Sequence, residues 1–270
     1  MSYEQHPWFP ADDPTAQNQN QHGQASKEVD STPDVYAVAG IPAYNEEDSI
    51  GEVVSGVRRH VDEVIVVDDG STDRTADVAR EAGGTVIEHG TNEGYGATLN
   101  TLFKTACEQD ARYLVTLDAD GQHKARDISK LLETIRSSDA DIVFGSRFEE
   151  DSESNPPLHR RFGIHVINVL TNVSLGRVRS EARLSDTQSG FRAYNCRSIE
   201  SIAEDPGIGE GMGASLDIVY HAQRNEYDIA ETGVTVNYHI EGTSTRNPVV
   251  HGLNLVANIV QNVLTIRVFK

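Results

Sequence analysis

The chain has 270 residues, 37% of them hydrophobic, with 42 acidic against 23 basic residues and a formal charge of −19. That length and apolar share suffice for one large α/β domain or two small ones. The acidic balance argues against nucleic acid as a partner, because phosphate backbones select a net basic surface. It fits solvation in high salt, as in halophiles, and Arg outnumbering Lys agrees. Cys107 and Cys196 stand far apart without metal-ligand spacing and read as free, buried thiols of a reducing compartment. No basic stretch leads into a long apolar run near the N-terminus, so no secretory signal is expected and the cytoplasm is the expected location.

Residues 1–33 are rich in Gln, Asn, Asp, Ser and Pro, without periodicity, and are expected to form a disordered tail. Order is expected from residue 34 to 246. VYAVAGIPAY (35–44) reads as a strand ending in a turn, and SIGEVVSGVRRHV (49–61) has helical apolar spacing. EVIVVDDGS (63–71) is a strand ending in acids, and TADVAREAG (75–83) a helix stopped by glycine. TVIEHG is a short strand, ATLNTLFKTACEQ (97–109) a helix, and YLVTLDAD (113–120) a strand. DISKLLETIRSS (127–138) is a helix and DIVFGSRF (141–148) a strand. This alternation predicts an α/β fold with a mainly parallel sheet flanked by helices.

In such sheets ligands sit at the carboxyl ends of the strands. There the polar residues collect: Pro42-Ala43-Tyr44-Asn45-Glu46-Glu47, Asp68-Asp69-Gly70-Ser71, Asp118-Ala119-Asp120 and Gly145-Ser146-Arg147. The glycine fingerprint of dinucleotide sites and the phosphate-binding loop with its Lys are both absent from the sequence. Asp118 and Asp120, brought together by a turn, suit a hard divalent cation, Mg²⁺ or Mn²⁺, that retains places for water and phosphate. Gln122 supplies a neutral oxygen or orients a water. An Asx-type turn at 118–120 and a helix N-cap at 71–73 are the competing structural roles.

PAYNEE, VVDDGSTD, HGTNEGYGATLN and LDADGQH, in this order, resemble family 2 glycosyltransferases of the GT-A fold over roughly residues 35–246. GSRF, the basic HRRFGIH stretch and SDTQSGFRAY are most similar to the dolichyl-phosphate mannosyl- and glucosyltransferase branch, and with the acidic composition suggest a haloarchaeal member. The resemblance implies that Pro42, Tyr44, Asn45 and Glu46 line the nucleoside and that Asp69 contacts the base. It also implies that Asn92, Gly94 and Gly96 let backbone approach the nucleotide. Asp118, Asp120 and Gln122 would hold metal and diphosphate. Arg147 would bind the acceptor phosphate, and Asp186 would help shape that site. Arg160 and Arg161 open an apolar run, Ile164, Val166, Ile167, Val169 and Leu170, which suits a lipid phosphate and its chain or a surface helix with solvated arginines. The family's small-Ser-Lys pattern is absent near the C-terminus, and Arg246, displaced by one residue, is the candidate to replace its lysine. Tyr44 is equally compatible with packing, and Arg192 with either the acceptor site or an internal ion pair.

The family's Glu-Asp pair and Gln-x-x-Arg-Trp motif, which serve hydroxyl acceptors, are missing. A hydroxyl needs a base to remove its proton, whereas a phosphate monoester is already an anion. The expected reaction is therefore inverting transfer of a hexose from a UDP- or GDP-sugar to dolichyl or polyprenyl phosphate. The alternatives are a soluble transferase acting on a glycan hydroxyl, with Asp186 as base, and a non-catalytic nucleotide-sugar binder. Leu253, Val256, Val260 and Val263 give residues 247–270 the spacing of an amphipathic helix, too polar to span a membrane. Packing on the domain, a homodimer partner or the membrane surface are its expected uses.

Overall fold

The computed structural model describes residues 36–177, 183–206, 208 and 213–238. The expected tail, Arg246 and the expected C-terminal helix (247–270) lie outside the described residues. Seven strands form one sheet: β1 (Ala37–Ala43), β2 (Glu63–Asp68), β3 (Thr85–Glu88), β4 (Tyr113–Thr116), β5 (Ile142–Ser146), β6 (Arg192–Asn195) and β7 (Ile229–Gly233). The helices are α1 (Ile50–Val57), α2 (Thr75–Glu81), α3 (Tyr95–Glu108), α4 (Asp127–Ser137), α5 (Leu158–Ser174), α6 (Cys196–Glu204) and α7 (Ala214–Arg224).

The strand order is β3-β2-β1-β4-β6-β5-β7. All neighbours are parallel except at β6, which runs antiparallel to both β4 and β5. β1 and β4 are buried along their whole length, which is why their apolar runs do not alternate. One sheet face is covered by α1, α2 and α4 through Ile50, Val54, Ala79, Ile128 and Leu131. The other is covered by α3, α6 and α7 through Leu99, Leu102, Ile199 and Ile218. Each such fully buried aliphatic side chain contributes about 1.5–3 kcal/mol over an exposed one.

The reversed strand decides where the chemistry falls. β4 and β5 point their carboxyl ends at one edge, and β6 begins there, with Arg192 in register with both Thr116 and Phe144. The residues just before it, including Gly190, therefore arrive at the same edge as Asp118 and Arg147. Helix α5 is unusual. It turns Asn168, Thr171 and Asn172 inward and leaves Leu158, Phe162 and Val173 exposed. Its buried asparagines hold the 184–187 loop: Asn172 bonds both the N–H and the carbonyl of Leu184, and Asn168 bonds Ser185 and Thr187.

No described helix is long and apolar enough to cross a membrane. Both cysteines are free, as expected, but they are not buried: Cys107 is half-buried and Cys196, the first residue of α6, is exposed.

Candidate active site

The loops after β1 and β2 are tied together before any ligand arrives. Asn45, at φ 54°, accepts Thr72 N–H at 2.8 Å and donates its own N–H to Ser71 Oγ at 2.9 Å. Glu46 donates its N–H to Thr75 Oγ1 and accepts the Ser49 hydroxyl. Tyr44 stands out of this turn, 43% exposed, so packing is not its role. Pro42 is buried inside β1, in register with Val67, and supports the turn from beneath.

Asp69 is almost fully buried, and its oxygens accept Glu93 N–H at 2.9 Å and Gly94 N–H at 2.8 Å. His89 Nδ1 meets the same carboxylate at 2.9 Å, and its Nε2 meets Thr101 Oγ1 at 3.0 Å. In this structure Asp69 clamps the 92–94 loop to the sheet edge. Gly70, at φ 69°, lets that loop cross: a Cβ there would lie 2.6 Å from the Thr91 carbonyl carbon. Asn92 is exposed on the loop, Gly94 caps α3 and Gly96 is buried in its first turn.

Asp120 Oδ1 accepts Gln122 N–H at 3.0 Å, so the Asx turn expected from sequence exists. It coexists with a charge problem. Asp118 lies beside His123 Nε2, 3.6 Å from Oδ2. Burial opposes ionisation of Asp118, yet His123, Arg147 and Arg192 together hold its carboxyl below the usual range. Asp120 is pushed up by burial and by the Asp118 charge, against the Gln122 N–H, His123 and Arg160. Glu46 is also raised, first by burial and then by Asp120 and Asp118, against its Ser49 hydrogen bond. The charges of Asp118 and Asp120 thus act on Glu46 at this edge, and that of Asp118 on Asp120.

Among the described residues, no group of three or more Asp, Glu, His or Cys side chains is gathered to hold a metal ion by itself. The Asp118–Asp120 pair fits a hard divalent cation that keeps most positions for water and substrate phosphate. The opposite wall is kept clear by Gly190, where a Cβ would stand 3.2 Å from Asp118 Oδ1. Gln122 is buried beside the pair, and its carbonyl accepts Asn237 N–H at 2.8 Å.

Arg147 follows β5 and forks onto Asp186 with Nε and Nη2, both at 2.6 Å. Burial works against its charge, but Asp186 and the nearby Tyr238 hydroxyl raise its pKa well above the ordinary value. Glu231 in turn accepts the backbone N–H groups of Ser185 and Asp186, and burial pushes its own carboxyl up. Asp186 is fully buried, with both carboxylate oxygens engaged by Arg147. Arg160 lies over the Tyr238 ring at 5.1 Å, and Arg161 is exposed on α5. The Tyr238 hydroxyl is buried without a hydrogen bond of ordinary geometry.

Arg192 does not form the internal ion pair that is one expectation for it. It makes no ion pair among the described residues but donates to the carbonyls of Ser215 and Thr187 and lies 4.1 Å over the Phe144 ring. Sequence reasoning also missed Tyr238, Glu231 and His123. Only His123 carried a signal, its place directly after the Asp-Ala-Asp-Gly-Gln run; its ring packs 4.8 Å from Phe191 and its Nδ1 is buried without a partner.

A sheet of this order, with paired carboxylates at its central strand end and a reversed strand beside them, defines a glycosyltransferase of the GT-A fold. The sequence profile described as Glycosyl transferase family 2 matches residues 39–202, and the chain belongs to that family. It is 31% identical to the UDP-N-acetylglucosamine–dolichyl-phosphate N-acetylglucosaminyltransferase of Methanococcus voltae, over 73% of this chain and 84% of that one. It is 31% identical to a dolichyl-phosphate hexose transferase of Haloferax volcanii, over 71% of this chain and 78% of the relative. Its fold matches glucosyl-3-phosphoglycerate synthase of Mycobacterium tuberculosis, solved with Mn²⁺, UDP and phosphoglyceric acid. The TM-score is 0.65 and the identity 18%, over 84% of this chain and 78% of that one.

Proposed function

We propose that the enzyme transfers a hexose, with inversion, from a UDP- or GDP-sugar to a dolichyl or polyprenyl phosphate. The observation that carries this reading is the meeting of an acidic and a basic half-site: the charges of Arg147 and Arg160 both reach the Asp118–Asp120 pair. A phosphate acceptor brings its own negative oxygen, so the burial of Asp186 beneath Arg147 costs the reaction no base. The archaeal relatives, named for dolichyl phosphate, support the same acceptor class.

In this reading Tyr44, Asn45, Glu46, Asn92 and Gly94 line the nucleotide, and Asp69 fixes the loop that covers it. Asp118, Asp120 and Gln122 hold Mg²⁺ or Mn²⁺ against the diphosphate. When bound, the cation neutralises charge on the departing diphosphate. Arg147, Arg160 and Arg161 orient the acceptor phosphate, for which planar guanidinium groups are suited. An acceptor oxygen attacks the anomeric carbon as the bond to the nucleoside diphosphate breaks, giving the lipid-linked sugar in one displacement. A lipid acceptor brings the work to a membrane surface.

The test is donor turnover in high salt with Mn²⁺, using labelled UDP- and GDP-sugars and polyprenyl phosphate. Label entering the lipid phase, and lost on Asp120→Ala, is the expected result. Donor binding without transfer to lipid would overturn the acceptor assignment.

A further inference from the structure

Helix α5 carries apolar residues on both faces, a buried set and an exposed one. Leu158, Phe162, Val166, Val169, Leu170 and Val173 recur at helical spacing on its outer face, with Leu158 83% and Phe162 71% exposed. Its inner face combines Ile164 and Ile167 with the asparagines that hold the 184–187 loop. A continuous apolar stripe along a 17-residue helix, roughly 25 Å at 1.5 Å per residue, is more than a monomer ordinarily leaves in water.

We propose that the chain's own C-terminal segment, residues 253–264, docks on this stripe. Three observations select that occupant. The described chain ends at Tyr238, whose ring is seated against Arg160 in the first turn of α5, so the remaining 32 residues start from the N-terminal end of the helix that carries the stripe. Residues 239–252 reach up to roughly 46 Å when extended, ample to turn back along the helix. The segment itself is an anomaly of composition. In a chain of charge −19, residues 247–266 contain no Asp, Glu, Lys or Arg, and Leu253, Val256, Val260 and Val263 repeat at helical spacing. As a helix, residues 253–264 would span roughly 18 Å, a match for most of the stripe.

Tethering also favours this occupant: the segment is held at an effective concentration on the order of millimolar, which a second copy or a vesicle would have to reach from bulk solution. Docking there buttresses the outer side of the helix whose inner side holds the 184–187 loop that carries Asp186. It does not depend on which acceptor the enzyme uses.

The test uses the full chain with photoreactive benzoylphenylalanine at one stripe position, Val169→benzoylphenylalanine, in high salt, irradiated with and without phosphatidylcholine–phosphatidylglycerol vesicles. The expected main product is an intrachain crosslink mapping to residues 253–264, lost when Val256→Asp and Val260→Asp are added while the melting transition is retained. Phe162→benzoylphenylalanine is the second probe should the first variant fail to fold. A product between two chains, a crosslink to lipid in place of the segment, or no crosslink from a folded probe overturns the proposal.

Discussion

Arg147 and Asp186 are joined three times: Nε to Oδ2 and Nη2 to Oδ1, each at 2.6 Å, and the Arg147 backbone N–H to Oδ2 at 3.1 Å. A fork held on one side presents its remaining donors in a fixed direction, which is what recognition of a tetrahedral anion requires. Asp186→Asn replaces one acceptor oxygen with a donor facing the guanidinium. Breaking a buried pair from one side costs about 3–5 kcal/mol. Denaturant unfolding should show that loss. Kinetics should show a raised KM for lipid phosphate, with nucleotide-sugar binding by calorimetry unchanged. Weakened donor binding of equal size would mean that Asp186 supports the whole edge and not Arg147 alone.

The brace extends to α5. Asn172 Oδ1 accepts Leu184 N–H at 2.9 Å, and its amide donates to the Leu184 carbonyl at 2.8 Å, all in a buried setting. Asn172→Ala strands these backbone groups, at a cost of about 1–3 kcal/mol for each buried group left unpaired. Because Asn172 and Asp186 act on one loop, the double variant should lose less than the sum of the two single losses. A coupling of about 0.5–3 kcal/mol is the range for such neighbours. Strict additivity in a double-mutant cycle would sink the idea that the loop is a single brace.

Two glycines of the nucleotide edge separate backbone strain from crowding. Gly94 has φ 98° and ψ 162°, a region open essentially to glycine alone, yet a Cβ there would meet nothing within 4 Å. Gly70 combines positive φ with a Cβ position 2.6 Å from the Thr91 backbone. Gly94→Ala should therefore cost about 1–3 kcal/mol from strain. Gly70→Ala should cost more, because the 91–94 loop must also move. Both should weaken UDP or GDP binding, Gly70→Ala the more. Equal affinities for wild type and Gly70→Ala would remove this loop from the nucleotide site.

The first half of the fold was legible because it is regular. β1, β2 and β4 are unbroken apolar runs, and α1, α3 and α4 bury residues at helical spacing. The polar strand ends then located the edge. The second half hid itself for physical reasons. β6 is four residues long and opens with Arg192, a charge that sequence reading places outside, whereas here it is buried over Phe144. β7 lies at the sheet edge with Glu231 and Thr232 in it, and lacks an apolar run. The apolar run of α5 does not reveal from sequence which of its residues turn inward: Ile164 and Ile167 are buried, whereas Val166, Val169 and Leu170 are exposed. Of the site, the carboxylates and Arg147 could be read because their chemistry is local to a motif. Tyr238 and Glu231 could not, because they reach Arg147 only through the pairing of distant segments, as where Val234 N–H meets the Ser146 carbonyl at 3.0 Å.

The three carboxylates predict opposite pH behaviours. Glu46 and Asp120 are raised, so at mildly acid pH the folded protein binds more protons than the unfolded chain. Their contribution is a penalty at neutral pH, and stability rises as pH falls through their raised values toward the ordinary carboxylate range near about 4. Asp118 is lowered, so its contribution is favourable above the ordinary range and is lost as pH falls below it. Without metal, the melting temperature should climb from neutral pH to about 4–5 and then drop. Asp120→Asn removes the central like charge while Asn Oδ1 can still accept the Gln122 N–H. It should raise the metal-free melting temperature at pH 7, flatten the climb and abolish stabilisation by Mn²⁺ together with transfer. Differential scanning calorimetry across pH, with and without Mn²⁺, is the measurement. A variant that melts at or below wild type at pH 7 without metal would show that the carboxylates are not in conflict, and that Asp120 serves the turn alone.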